Sequence, residues 1–302
     1  MTSKKSEAKR LVIFLLLAFA LDWIPMIIFN TIFGYEQWFE SDHFPIFAAL
    51  VGYGPALANI ITRKITKEGW HNSLLHIRLK GNIRYYVAAL VIPGLYGLIS
   101  GILITSLYGN WDFSQIVSRL SLKSDLGSIL LIYSGGPLFV YSTFGEEFGW
   151  RGYMNQKMEP LLGTAGTCIA GGVIWGIWHA PLTIQGHNFG SDYPGYPYLG
   201  IILMCLHCLS EGTILMWLTK KTGSVYPAAL LHAMNNCGGA LTSDLLTTGV
   251  PDNFLSQMSL VKQFSVQTAG EALIAMICLI LMITDGKKKK ECINSAAVSG
   301  QA

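Results

Sequence analysis

The stretch that decides the reading is STFGEEFGWRGY, Ser142 to Tyr153. It follows Ile129 to Phe144, a run without a single charge, and it then places two adjacent glutamates ahead of an arginine. Outward from this point the chain stays apolar. Of 302 residues, 51% are hydrophobic and 13% charged, against about 25% charged in a typical soluble domain. Mean hydropathy is +0.43. These values argue for a membrane protein rather than a large soluble core. A net charge of +3 is too small to suggest nucleic acid as a partner.

A bilayer core takes about 20 apolar residues per helix. Eight segments qualify by pattern: 11–33, 46–62, 84–107, 126–148, 164–183, 198–218, 224–243 and 269–284. The expected fold is all-α, a polytopic membrane helix bundle of about eight transmembrane helices. It forms one integral-membrane domain over residues 1–302, with catalytic core helices at 125–245. The N-terminal apolar run is long and lacks a small-residue cleavage site, so it reads as a retained first span. Lys and Arg concentrate in alternate loops: Lys4 to Arg10, Arg63 to Arg84, Arg151 with Lys157, Lys220 with Lys221, and Lys287 to Lys290. The loop from Gly34 to Pro45 carries three acids and no Lys or Arg. This predicts both termini on the cytoplasmic side of a multi-pass membrane protein, and the lack of a eukaryotic retention signal favours a prokaryotic plasma membrane. The terminal lysines are expected to meet anionic membrane lipid.

An ionisable residue within a span costs at least about 2.5 kcal/mol and marks a functional site by default. Glu146 and Glu147 fall near the end of the fourth span, His179 in the fifth, His207 and Glu211 in the sixth, and His232 with Asn236 in the seventh. Helical spacing sorts them. Glu147 and Arg151 are four apart and read as a supporting pair. Glu146 points about 100° away, unpaired, as a candidate general base. His232 and Asn236 share one face. His207 and Glu211 read as satisfying each other. Asp22, late in the first span, reads as structural and within reach of the interface. Trp175 and Trp178 read as anchors or as packing around a polar centre. Gly171-Gly172 and Gly176 read as helix contacts, and Gly135-Gly136-Pro137 as a break. Cys205-Leu-His-Cys208 is too weak a spacing to carry a metal site.

A carboxylate, two histidines and an amide inside a membrane suit peptide-bond hydrolysis, with a water activated and an oxyanion stabilised by protein groups. The same groups suit a divalent metal such as Zn2+, with Glu146, His179 and His232 as ligands. No HExxH spacing occurs, and the residues leave both routes open.

Glu146-Glu147-x-x-x-Arg151, Trp175-x-x-x-His179 and His232-x-x-x-Asn236, in this order, resemble the three motifs of the CPBP intramembrane proteases. That family includes Rce1-type CAAX prenyl endopeptidases and bacterial Abi-type proteins. One departure is Trp175, where phenylalanine is usual. The resemblance implies that Glu146 and His179 activate water, that His232 and Asn236 stabilise the oxyanion, and that Glu147 with Arg151 supports them. It also implies a peptide or protein substrate, either a prenylated CAAX terminus or a target tied to bacteriocin immunity. A transporter or proton relay and a catalytically silent scaffold are the competing classes. The protease reading requires Glu146, His179, His232 and Asn236 to converge on one cavity. With both termini inside, Glu146 lies toward the cytoplasm and His179 toward the exterior, so convergence needs tilt or a broken helix.

Overall fold

A computed structural model describes residues 3–33, 51–109, 131–238 and 253–298, with isolated positions between them. The described residues are mostly helical, and among them there is no strand. The helices are α1 (Lys4–Phe33), α2 (Gly54–Thr66), α3 (Ile83–Tyr108), α4 (Val140–Gly149), α5 (Asn155–Trp178), the single turn α6 (Ala180–Thr183), α7 (Tyr198–Thr222), α8 (Tyr226–Gly238) and α9 (Leu260–Val298). A 3-10 turn at Gly136–Phe139 precedes α4, which is the break expected at Gly135-Gly136-Pro137. The acidic loop at 34–45, the start of the expected second span at 46–50 and most of 239–243 lie outside the described residues.

Five helices among the described residues are long and apolar enough to cross a membrane: Lys4–Ile32, Ile83–Tyr108, Leu131–Trp178, Tyr198–Thr222 and Leu260–Lys288. The expected count of eight is not confirmed: α2 and α8 have only 13 described residues each, and the expected fourth and fifth spans both fall in the one segment Leu131–Trp178. The surface is inverted relative to a soluble protein. Leu16, Leu131, Leu138, Ile169 and Met276 stand exposed, whereas Asp22, Glu147, Arg151, Glu211 and Glu271 are buried. Burial of charge beneath an apolar exterior is what a hydrocarbon solvent selects.

The 48-residue segment Leu131–Trp178 resolves the depth conflict between Glu146 and His179. Its helix does not stop after the two glutamates. It passes through a π-helical turn at Trp150–Met154 and continues into α5. At Gly163 the backbone adopts φ 72°, ψ 176°, which a Cβ would oppose, and the chain doubles back. A Cβ on Gly171 would lie 3.1 Å from Asn155 Oδ1, as expected of two antiparallel arms each eight residues from the bend. Glu146 is seventeen residues before Gly163 and His179 sixteen after it, so the two return to the same depth.

Glycine sets the closest helix contacts. A Cβ on Gly172 would sit 2.3 Å from Leu209 Cα, and one on Gly176 would sit 2.4 Å from Cys205 Cα, which presses α5 onto α7. One on Gly149 would meet Pro55, seating α4 on α2. At the end of the bundle that holds the bend, Lys157 pairs with Glu7 (3.2 Å) and Glu68 (2.5 Å), and Arg10 with Glu7 and Glu68. Tyr153 donates its hydroxyl to Glu68, Lys220 pairs with Glu159, and Lys221 with Asp285. The basic segments from the N-terminus, the loop after α2, the bend and the ends of α7 and α9 are thereby drawn to one end.

Candidate active site

The two glutamates separate as helix geometry requires. Glu147 is fully buried, and its Oε1 receives Arg151 Nη1 at 3.0 Å and His232 Nδ1 at 2.9 Å. His232 therefore joins the supporting pair through one ring nitrogen, a link that sequence spacing did not anticipate. Arg151 is 3% exposed, and its guanidinium lies over the Trp175 ring at 4.1 Å from the centroid. A Cβ on Gly212 would come within 3.0 Å of Arg151 Nη2, so α7 closes the other side.

Glu146 faces a cavity of about 700 Å3, whose wall also includes His179, His232 and Asn236. The four residues singled out by spacing thus converge. Glu146 is not unpaired: Trp175 Nε1 donates to its Oε2 at 2.8 Å. His179 Nδ1 lies 2.9 Å from the Trp175 carbonyl. A carbonyl only accepts, so the proton sits on Nδ1 and the lone pair of the neutral ring on Nε2. By the same reasoning Nδ1 of His232 donates to the Glu147 carboxylate. Asn236 is exposed on the cavity wall, one turn beyond buried His232.

Trp175 is the hub of this arrangement. Its N–H reaches Glu146, its carbonyl holds His179, its ring meets His232 edge-on at 5.3 Å and 79°, and its face carries Arg151. It packs around the polar centre rather than anchoring at an interface. Trp178, three residues on, packs edge-on against His179 at 4.8 Å. Its Nε1 donates to Asp22 Oδ2 at 2.7 Å. Asp22 is 1% exposed, so the expectation that it reaches the interface is corrected: it is a buried tie between α1 and the site. Trp23 adds a second tie, donating to the Trp178 carbonyl at 3.0 Å. Gly54 is needed here, since a Cβ would lie 1.8 Å from Asp22 Oδ1.

His207 and Glu211 do pair, at 3.2 Å, but the sequence reading missed their third member. Glu271 of α9 meets His207 Nδ1 at 3.0 Å. An acid near the start of the last expected span was the available signal. Both ring nitrogens of His207 are committed, and the unit ties α7 to α9 along the cavity. His187, in the loop over the cavity, is held below its ordinary value of 6.5 by burial, which leaves it neutral at neutral pH.

Among the described residues no group of three His, Cys, Asp or Glu side chains is placed to hold a metal ion. Nδ1 of His179 and of His232 are each turned to another partner, which leaves Nε2 as the ring nitrogen of each that could bind a metal.

Residues 128–238, which hold all of these motifs, match the family model described as Type II CAAX prenyl endopeptidase Rce1-like. The chain is also similar to CAAX prenyl protease 2 of Methanococcus maripaludis, with 25% identity over 190 residues that cover 61% of this chain and 68% of that protein. Residues 128–238 thus resemble the Rce1-type intramembrane proteases, and the membrane-spanning helices make the chain a multi-pass membrane protein.

Proposed function

We propose that the chain hydrolyses a peptide bond at the membrane with Glu146 as general base. The observation that carries this reading is the sorting of the two carboxylates: Glu147 is consumed by Arg151 and His232, while Glu146 faces the cavity. A water between Glu146 and the free Nε2 of His179 gives its proton to Glu146, and its oxygen attacks the scissile carbonyl carbon. The oxyanion forms beside Asn236 and His232. Donation from His232 Nε2 while Nδ1 remains bonded to Glu147 requires the imidazolium, whose charge would lie between that carboxylate and the oxyanion. Glu146 then returns the proton to the departing amine as the C–N bond breaks.

No step uses a metal. Zinc held by Glu146, His179 and His232 is the competing proposal. As substrate we propose a prenylated CAAX-type C-terminal peptide, supported by the domain match and by the name of the similar archaeal protein. The apolar part of the cavity wall, with Phe139, Leu182, Met204 and Phe264, suits a prenyl chain. No observation favours a bacteriocin-immunity role. We place the end that gathers the basic segments at the cytoplasmic face of a plasma membrane, by the positive-inside rule. The test is purified protein in detergent with quenched peptides, prenylated and plain, with and without a chelator. Cleavage of the prenylated peptide that survives chelation supports the reading. Preference for the plain peptide removes the prenyl substrate, and loss on chelation with recovery on added zinc removes the metal-free mechanism.

A further inference from the structure

We infer that Trp175 is a positioning residue for Glu146, acting through its indole N–H. The inference rests on the proposed role of Glu146 and adds a group that role does not include. A carboxylate on a helix has rotatable χ angles, and a base must be held within hydrogen-bond reach of one water. Glu146 has no charged partner that could fix it, because Arg151 and His232 are turned to Glu147. The bond that fixes it is Trp175 Nε1 to Oε2, at 2.8 Å.

The donor is itself immobile. Trp175 is 2% exposed, with the Arg151 guanidinium on one face and the His232 ring meeting it edge-on. It is seated next to Gly176, where α5 touches the backbone of α7. The same residue sets the second water-facing group, because its carbonyl fixes the tautomer of His179. One rigid residue therefore determines where Glu146 and His179 stand relative to each other. An indole N–H donates and cannot accept, so it restrains the carboxylate without competing for the proton that Glu146 takes from water.

Trp175→Phe tests this directly, since phenylalanine keeps a ring under Arg151 and removes the N–H. The expected result is a fall in kcat of roughly 10- to 100-fold, the effect of a base misplaced by a fraction of an ångström to one ångström. KM should stay within about twofold, because only transition-state geometry has changed. The melting temperature should stay near wild type. Wild-type kcat in Trp175→Phe overturns the inference, as does a parallel loss of kcat, KM and melting temperature, which would make Trp175 merely structural.

A second readout does not depend on turnover. In 15N-tryptophan-labelled protein, the indole resonance missing in Trp175→Phe identifies Trp175. That resonance should move in Glu146→Gln, which replaces a charged acceptor by a neutral one. If it does not move, the contact is absent and the inference falls. If wild type cleaves no peptide offered, the proposed function fails, and the resonance alone decides whether Trp175 holds Glu146.

Discussion

Arg151→Ala should be the most damaging single truncation in the supporting network. In the wild type, fully buried Glu147 shares one oxygen between Arg151 at 3.0 Å and His232 at 2.9 Å, and its second oxygen, Oε2, is buried without a hydrogen-bond partner. Removing the guanidinium leaves a buried carboxylate with only the histidine. Breaking a buried pair from one side costs about 3–5 kcal/mol. Loss of the cation–π contact on Trp175 adds roughly 1 kcal/mol. For a chain of this length, about 4 kcal/mol corresponds to a fall in melting temperature on the order of 10 °C. The double variant Glu147→Gln/Arg151→Met removes both charges and should recover much of that loss, with a coupling of roughly 2 kcal/mol or more between the sites. The assay is thermal unfolding of wild type, Arg151→Ala, Arg151→Met, Glu147→Gln and the double variant in one detergent at one protein-to-detergent ratio. If the losses of Glu147→Gln and Arg151→Met simply add, Arg151 and Glu147 are not an energetic pair and the account of the two carboxylates is wrong.

Three further outcomes follow from the packing. Gly176→Ala puts a methyl 2.4 Å from Cys205 Cα, so α5 and α7 must part; destabilisation of about 1–3 kcal/mol and a loss of turnover are expected in melting and peptide-cleavage assays, and wild-type behaviour would contradict the close contact. Asp22→Ala removes the acceptor of Trp178 Nε1 and should cost about 1–3 kcal/mol, while Asp22→Asn retains an acceptor oxygen and should cost less; equal losses in melting would show that the hydrogen bond is not the tie. Burial raises Glu68, but its bonds to Lys157 and Tyr153 outweigh this and hold it below its ordinary value of 4.5. The folded state therefore binds fewer protons there than the unfolded state, so this stabilisation is complete above about pH 4.5 and is lost as pH falls through the lowered value. Glu68→Gln should flatten the acid limb of a melting-temperature profile, and an unchanged limb would remove Glu68 from it.

Much of the site was legible because intramembrane charge is costly enough to be informative. The i, i+4 spacing of Glu147 and Arg151 gave their pairing, and the 100° step gave Glu146 its separate direction. Other features are not written in local spacing. The level placement of Glu146 and His179 depends on a positive-φ bend at Gly163, within a helix that the sequence pattern ended near the two glutamates. The bond from His232 to Glu147 and the one from Trp175 to Glu146 join residues 85 and 29 positions apart, and neither periodicity nor spacing encodes such contacts. Asp22 and Glu271 carried the signal of an acid in an apolar run. Their roles needed partners on distant helices, Trp178 and His207, to become visible.

The central claim is that one glutamate of the pair does the chemistry and the other holds the structure. The direct measurement is peptide cleavage by Glu146→Gln and Glu147→Gln beside wild type, each with its melting curve. The account predicts that Glu146→Gln loses roughly 100-fold or more in kcat at unchanged stability, whereas Glu147→Gln loses stability along with activity. Glu146→Gln cleaving at the wild-type rate would contradict it.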